Sequence, residues 1–142
     1  YIAHCPQSNT DLSSGIAPVR SYLEEGMLVG LGTDIAGGHK MSVFQTMAEA
    51  IQVSKLRWRL ADDSLAPLRT EEAFYLGTKG GGSFFGKVGS FEPGYELDAV
   101  IIDEERLSTP ARLSMKERLE RIIYLSEDRD VVGKYVAGEK IF

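Results

Sequence analysis

The stretch "VGLGTDIAGG", Val29 to Gly38, decides how the chain is to be read. With Met27 and Leu28 before it, an apolar run ends abruptly in Thr33-Asp34 and then in glycines. Met27–Leu31 has the texture of a strand buried on both faces, as in a parallel sheet. Such a strand gains no stability from a carboxylate at its end. An acid just past a parallel strand lies at the carboxyl edge, where α/β sheets and barrels place ligands and catalytic groups. The same Asp could instead cap the next helix or close a turn. Sequence spacing leaves both roles open.

Before this stretch, Tyr1–Cys5 reads as a short strand stopped by Pro6, followed by a loop over Gln7–Asp11. A helix with Pro18 in its first turn runs to Glu25 and stops at Gly26. After the loop Gly32–Met41, Ser42 and Gln45 resemble a capping box. Phe44, Met47, Ala48, Ile51 and Leu56 then fall mostly at helical spacing. Thr70-Glu71-Glu72 opens another helix, its acids favoured by the helix dipole, which ends in Lys79–Gly82. Beyond Gly86 the texture changes. Pro93-Gly94 makes a turn, Ala99–Ile102 a strand, Leu113–Leu125 begins like a helix, and "DVVGKYVAGEKIF" reads as two strands around Ala137-Gly138. Residues 1–86 thus alternate strand and helix, the pattern of a parallel sheet, and residues 87–142 read as mostly β.

Composition narrows the function. With 142 residues and 43% hydrophobic content, a sizeable core is available and disorder is not expected. The net charge is −5 with no long basic run, which argues against nucleic-acid binding. No segment approaches the roughly 20 apolar residues of a transmembrane helix. The single Cys5 permits no internal disulfide and suits a reducing compartment.

Most other motifs have ordinary explanations. Gly81–Lys87 fits GxxxxGK, but Val88 replaces the Ser or Thr a phosphate loop needs, and the segment follows a helix. Gly30-x-Gly32 begins a dinucleotide fingerprint that fails at Ile35. His4 and Cys5 are soft ligands without the rest of a zinc set, and His39 reads as an exposed loop residue. Cys5 fits a buried structural thiol better than a nucleophile. Ser8, Asn9 and Asp11 suit side-chain-to-backbone bonds in a loop. Arg57-Trp58-Arg59 and Lys116–Arg121 read as solvated helix faces, with Trp58 a candidate interface residue.

Three segments in order resemble the guanine deaminases of the amidohydrolase superfamily: "HCPQSN" (4–9), "GLGTDIAGG" (30–38) and "TKGGGSFFGKVGSFEPGYELDAVIID" (78–103). The resemblance implies an α/β fold, a zinc-dependent (β/α)8 TIM barrel with a small β-sandwich, that hydrolyses guanine to xanthine and ammonia. On it, residues 1–86 are the C-terminal part of the barrel, with strands seven and eight and their helices. Residues 87–142 are the C-terminal segment of the sandwich. Asp34 takes the place of the strand-eight carboxylate that binds metal, contacts substrate and shuttles the proton. His4 takes a place near the site without being a zinc ligand.

The implied cofactor is one Zn2+ per full-length active site. The implied partners are guanine, the remainder of the enzyme chain and a second copy in a homodimer, without nucleic acid or membrane, in the cytoplasm. The family's His-x-His pair, two later histidines and acid–base glutamate have no counterpart here. A closed barrel takes about 250 residues. The chain is therefore expected to be part of a longer enzyme, unable to hold zinc tightly or turn over guanine alone. Two rival readings stand beside it: a non-catalytic assembly fragment that pairs with a separate chain, and an amidohydrolase acting on another aminopurine, a pterin or a triazine.

Overall fold

The structure, a computed structural model, describes all 142 residues. Its first sheet is a parallel pair, β1 (Ile2–His4) and β2 (Val29–Leu31), aligned Ile2 with Val29 and His4 with Leu31. Two short helices connect them, α1 (Pro6–Asp11) and α2 (Val19–Glu24). After β2 come the long α3 (Val43–Leu60) and α4 (Thr70–Tyr75), which widens into a π turn over Leu76–Gly80. The second sheet is antiparallel, in the order β3 (Ala99–Ile102), β4 (Val131–Val136), β5 (Glu139–Lys140). Helix α5 (Met115–Leu125) lies between β3 and β4 in the chain. No helix is long and apolar enough to cross a membrane.

Strand–helix alternation in the first half, the strand at 99–102 and the final strand pair follow the sequence pattern. Several details differ. Residues 7–11 are helical rather than a loop, because Pro6 occupies the first helical position and Gln7 and Ser8 find buried partners. Pro18 directly precedes α2 instead of lying within its first turn. The strand begins at Val29, since Met27 and Leu28 are exposed and only Val29 and Gly30 are buried. The charged helix faces are tied down as well as solvated. Arg57 donates to the Ile16 carbonyl at 3.1 Å, Arg121 to that of Leu107 at 2.8 Å, and Arg118 and Lys116 pair with Glu104 and Glu71. Trp58 is partly exposed.

Two apolar clusters fill the space around β2. Val19, Val29, Ala50, Leu68 and Leu76 form one, with Ile2, Tyr22 and Leu31 against it. Met47, Ala48, Ile51, Ala73 and Ile123 form the other. Ile123 belongs to α5, so the second half of the chain shares this core with the first. The Gly80–Gly82 run earns its glycines by close packing. A Cβ on Gly30 would come within 2.7 Å of the Gly81 Cα, and one on Gly80 within 2.9 Å of the Val29 carbonyl oxygen. These glycines bring the turn after α4 against β2 and have no need of a phosphate ligand.

Candidate active site

Because β1 and β2 are parallel, their carboxyl ends lie on one edge. The Gly32 N–H donates to the His4 carbonyl at 3.0 Å, which fixes the two chain exits side by side. From β1 the chain turns at once into α1; from β2 it passes through Thr33 to Asp34 and the glycine loop. The space between these exits is the candidate site.

Asp34 is exposed and adopts a left-handed backbone, φ 45°. A non-glycine residue there costs on the order of 1–3 kcal/mol, least for Asp and Asn. The strain is held by hydrogen bonds. Its carbonyl accepts from the Gly38 N–H at 2.7 Å. Ser8 Oγ, on α1, donates to Asp34 Oδ2 at 2.6 Å, a short charge-assisted bond. Oδ1 takes no hydrogen bond from the protein, so one carboxylate oxygen is anchored and the other is available. Gly37 is required by closeness: a Cβ there would lie 2.7 Å from Asp34 Oδ2 and 2.8 Å from Ser8 Oγ. A Cβ on Gly38 would lie 2.5 Å from the Thr33 carbonyl oxygen.

The far end of the loop is tied to the same helix. Gln7 Oε1 accepts from the backbone N–H groups of His39 and Lys40, both at 2.8 Å. Its Nε2 donates to Glu49 Oε1 on α3 at 2.7 Å. Asp11 meets His39 through Nδ1 at 2.7 Å. Gln7, Ser8 and Asp11 therefore do tie a loop, but it is the loop after β2; Ser8 and Asp11 meet side chains there rather than backbone, and Asn9 makes no side-chain hydrogen bond. Gln7 and Glu49 are the residues that sequence reasoning missed as functional candidates. Gln7 stands inside the quoted motif; nothing local marks Glu49, 42 residues away.

His4 is 3% exposed and neither ring nitrogen has a partner. Burial pushes its pKa down to about 4, so the ring is neutral at pH 7. It shares the sheet edge with Asp34 but makes no bond to it. Cys5, beside Gly32, has its thiol pushed up by burial and then by the Asp34 charge, which suits an inert thiol rather than a nucleophile. The remaining expectation is a metal. A catalytic zinc takes three protein ligands and keeps an open position. Asp34 Oδ1 can supply one oxygen, and no group of three or more His, Cys, Asp or Glu side chains is assembled here. The residues of this chain do not hold such an ion by themselves.

The chain is 37% identical to guanine deaminase of Dictyostelium discoideum over 147 residues, covering 99% of this chain and 32% of that protein. It is 34% identical to the Homo sapiens guanine deaminase, covering 99% and 33%. The crystal structure of guanine deaminase from C. acetobutylicum with bound guanine in the active site superposes with a TM-score of 0.93 at 52% identity, covering 99% of this chain and 33% of that one. The chain thus spans about a third of the length of the relatives it matches. The amidohydrolase family model matches residues 1–141, and by that match, on an α/β fold with a free carboxylate at its parallel-strand edge, the chain belongs to the amidohydrolase family.

Proposed function

We propose that this chain is the C-terminal third of a zinc-dependent guanine deaminase. Residues 1–86 supply strands seven and eight of a (β/α)8 barrel, and residues 87–142 join a small β-sandwich. The full-length enzyme is a cytoplasmic homodimer that hydrolyses guanine to xanthine and ammonia. The observation that carries the reading is Asp34: one oxygen anchored by Ser8 at 2.6 Å, the other free, at the carboxyl edge of a parallel pair. The similarity to guanine deaminases over nearly the whole chain supports the substrate.

In this reaction water oxygen adds to the carbon bearing the amino group, and the carbon–nitrogen bond to that group breaks. A base must take a proton from the water, and an acid must deliver one to the departing ammonia. Asp34 performs both steps through its free oxygen while Ser8 keeps the carboxylate from rotating. General acid–base transfer by a positioned group contributes about 10²- to 10⁴-fold. Bound zinc supplies a water acidified to a pKa of about 7. The remaining ligands must come from outside these 142 residues, since this chain offers one. His4, buried and neutral, backs the edge without entering the proton path.

The test uses the full-length protein. Asp34→Asn is expected to lower guanine turnover by about 10³-fold or more and to reduce bound zinc, with the 142-residue chain alone inactive even with added zinc. Sustained turnover by that chain alone, or by Asp34→Asn, refutes the assignment.

A further inference from the structure

We propose that Gln7 and Glu49 are a positioning pair for Asp34, with Gln7 clamping the loop after β2 and Glu49 fixing which way its amide points. The inference rests on Asp34 being the catalytic carboxylate.

Consecutive residues of α1 grip the two ends of the loop. Ser8 holds Asp34 at its start, and Gln7 holds His39 and Lys40 at its end. The Asp34 carbonyl and the Gly38 N–H close the turn between them. The strained left-handed backbone at Asp34 therefore persists only while both ends stay on α1.

The Gln7 amide can point only one way. Two backbone N–H groups are donors alone and must face Oε1; the Glu49 carboxylate accepts alone and must face Nε2. Gln7 is 6% exposed, and a reversed amide would set its NH2 against the two backbone N–H groups and its oxygen against the Glu49 carboxylate, leaving all three bonds unmade. Glu49 reaches it from α3, a helix otherwise committed to the core through Met47, Ala48, Ala50 and Ile51. The second Glu49 oxygen is buried without a partner. A carboxylate with one unmatched oxygen is a poor stabiliser, so its value lies in orienting Gln7.

This geometry has a polarity that can be swapped. In the full-length protein, Gln7→Glu sets two carboxylates against each other and should release the loop. Adding Glu49→Gln restores a match, because Glu at 7 still accepts both backbone N–H groups and Gln at 49 donates to its second oxygen. Two measurements are made: guanine kinetics, and hydrogen exchange of the peptide spanning 33–41. Q7E is expected to lower kcat about 10- to 100-fold with KM changed less than threefold, and to speed exchange at His39 and Lys40 at least tenfold. Q7E/E49Q is expected to bring both back to within about threefold of wild type. Native exchange in Q7E, or a double variant no better than Q7E, overturns the proposal. If Q7E does not fold, the double variant decides alone: native protection at 39 and 40 supports the pair and its loss refutes it. Exchange reports the clamp whatever the substrate is. A protein that shows the exchange pattern but never turns over guanine keeps the clamp and loses the functional reading.

Discussion

Replacing Glu72 by Gln tests the electrostatic account of the scaffold in a way that pH can resolve. Glu72 opens α4, and Arg20 on α2 meets it with both ends of its guanidinium, Nη1 to Oε1 at 2.9 Å and Nη2 to Oε2 at 2.6 Å. Arg20 is itself held by the Ala66 carbonyl at 2.9 Å, and Glu72 Oε2 accepts the Arg69 backbone N–H at 2.8 Å. Both side chains are 19% exposed. Burial alone would raise the Glu72 pKa. The hydrogen bonds from Arg20 and from the Arg69 backbone and side chain, with the Arg20 charge, outweigh it and bring the value from 4.5 down to about 2.

A carboxylate whose folded pKa is depressed contributes its stability above the unfolded pKa and loses it as pH falls toward the folded one. Each pKa unit is worth 1.36 kcal/mol, which sets an upper figure of about 3 kcal/mol; residual solvent screening brings it to about 2–3. Glu72→Gln is therefore expected to cost about 2–3 kcal/mol at pH 7, in part because a half-buried Arg20 loses its partner. At pH 3 somewhat more than half of that gap should have closed, as wild-type Glu72 is then giving up its advantage over the unfolded chain. Urea unfolding of wild type and variant at both pH values measures the gap. A gap that stays constant between pH 7 and pH 3, or one under about 0.5 kcal/mol at pH 7, refutes the reasoning.

Two further outcomes follow from the site. Ser8→Ala removes the only side-chain bond on the Asp34 carboxylate; bonds to charged groups are worth about 1.5–3 kcal/mol, so kcat for guanine should fall roughly 10- to 100-fold, with KM nearly unchanged, as steady-state kinetics of the full-length protein will register. His4, with its folded pKa depressed by burial from 6.5 to about 4, costs the fold nothing above pH 6.5 and destabilises it progressively as pH falls to 4. Comparing wild type with His4→Phe across that window should show wild type losing up to about 3 kcal/mol more, and equal losses would mean that the ring is not buried neutral.

Elements whose causes are local were legible in the residues alone. Val29–Leu31 is apolar and bounded by glycine and acid, Ala99–Ile102 is a run of aliphatic residues after a Pro-Gly turn, and Ser42 caps α3 by accepting the Gln45 N–H. Asp34 was legible as a strand-end carboxylate because the chain places it there whatever surrounds it. Helix α1 was not legible: Ser, Asn, Thr and Asp favour caps and turns. There Thr10 turns back on the Pro6 carbonyl at 2.9 Å while buried Gln7 and Ser8 bond across to other segments, and these partners override propensity. The packed fold, not spacing, sets which groups Asp34 meets at the loop: spacing left a cap, a turn and a free carboxylate open, and in the structure its side chain takes one hydrogen bond, from Ser8 on α1. Ser8 is 26 residues from Asp34, and Glu49 is 42 from Gln7. Such pairings arise when two parallel strands set their exits side by side and α3 packs across α1. Local preference acts over a few residues, whereas a hydrogen bond between distant side chains exists only once the core has fixed the backbones that carry them.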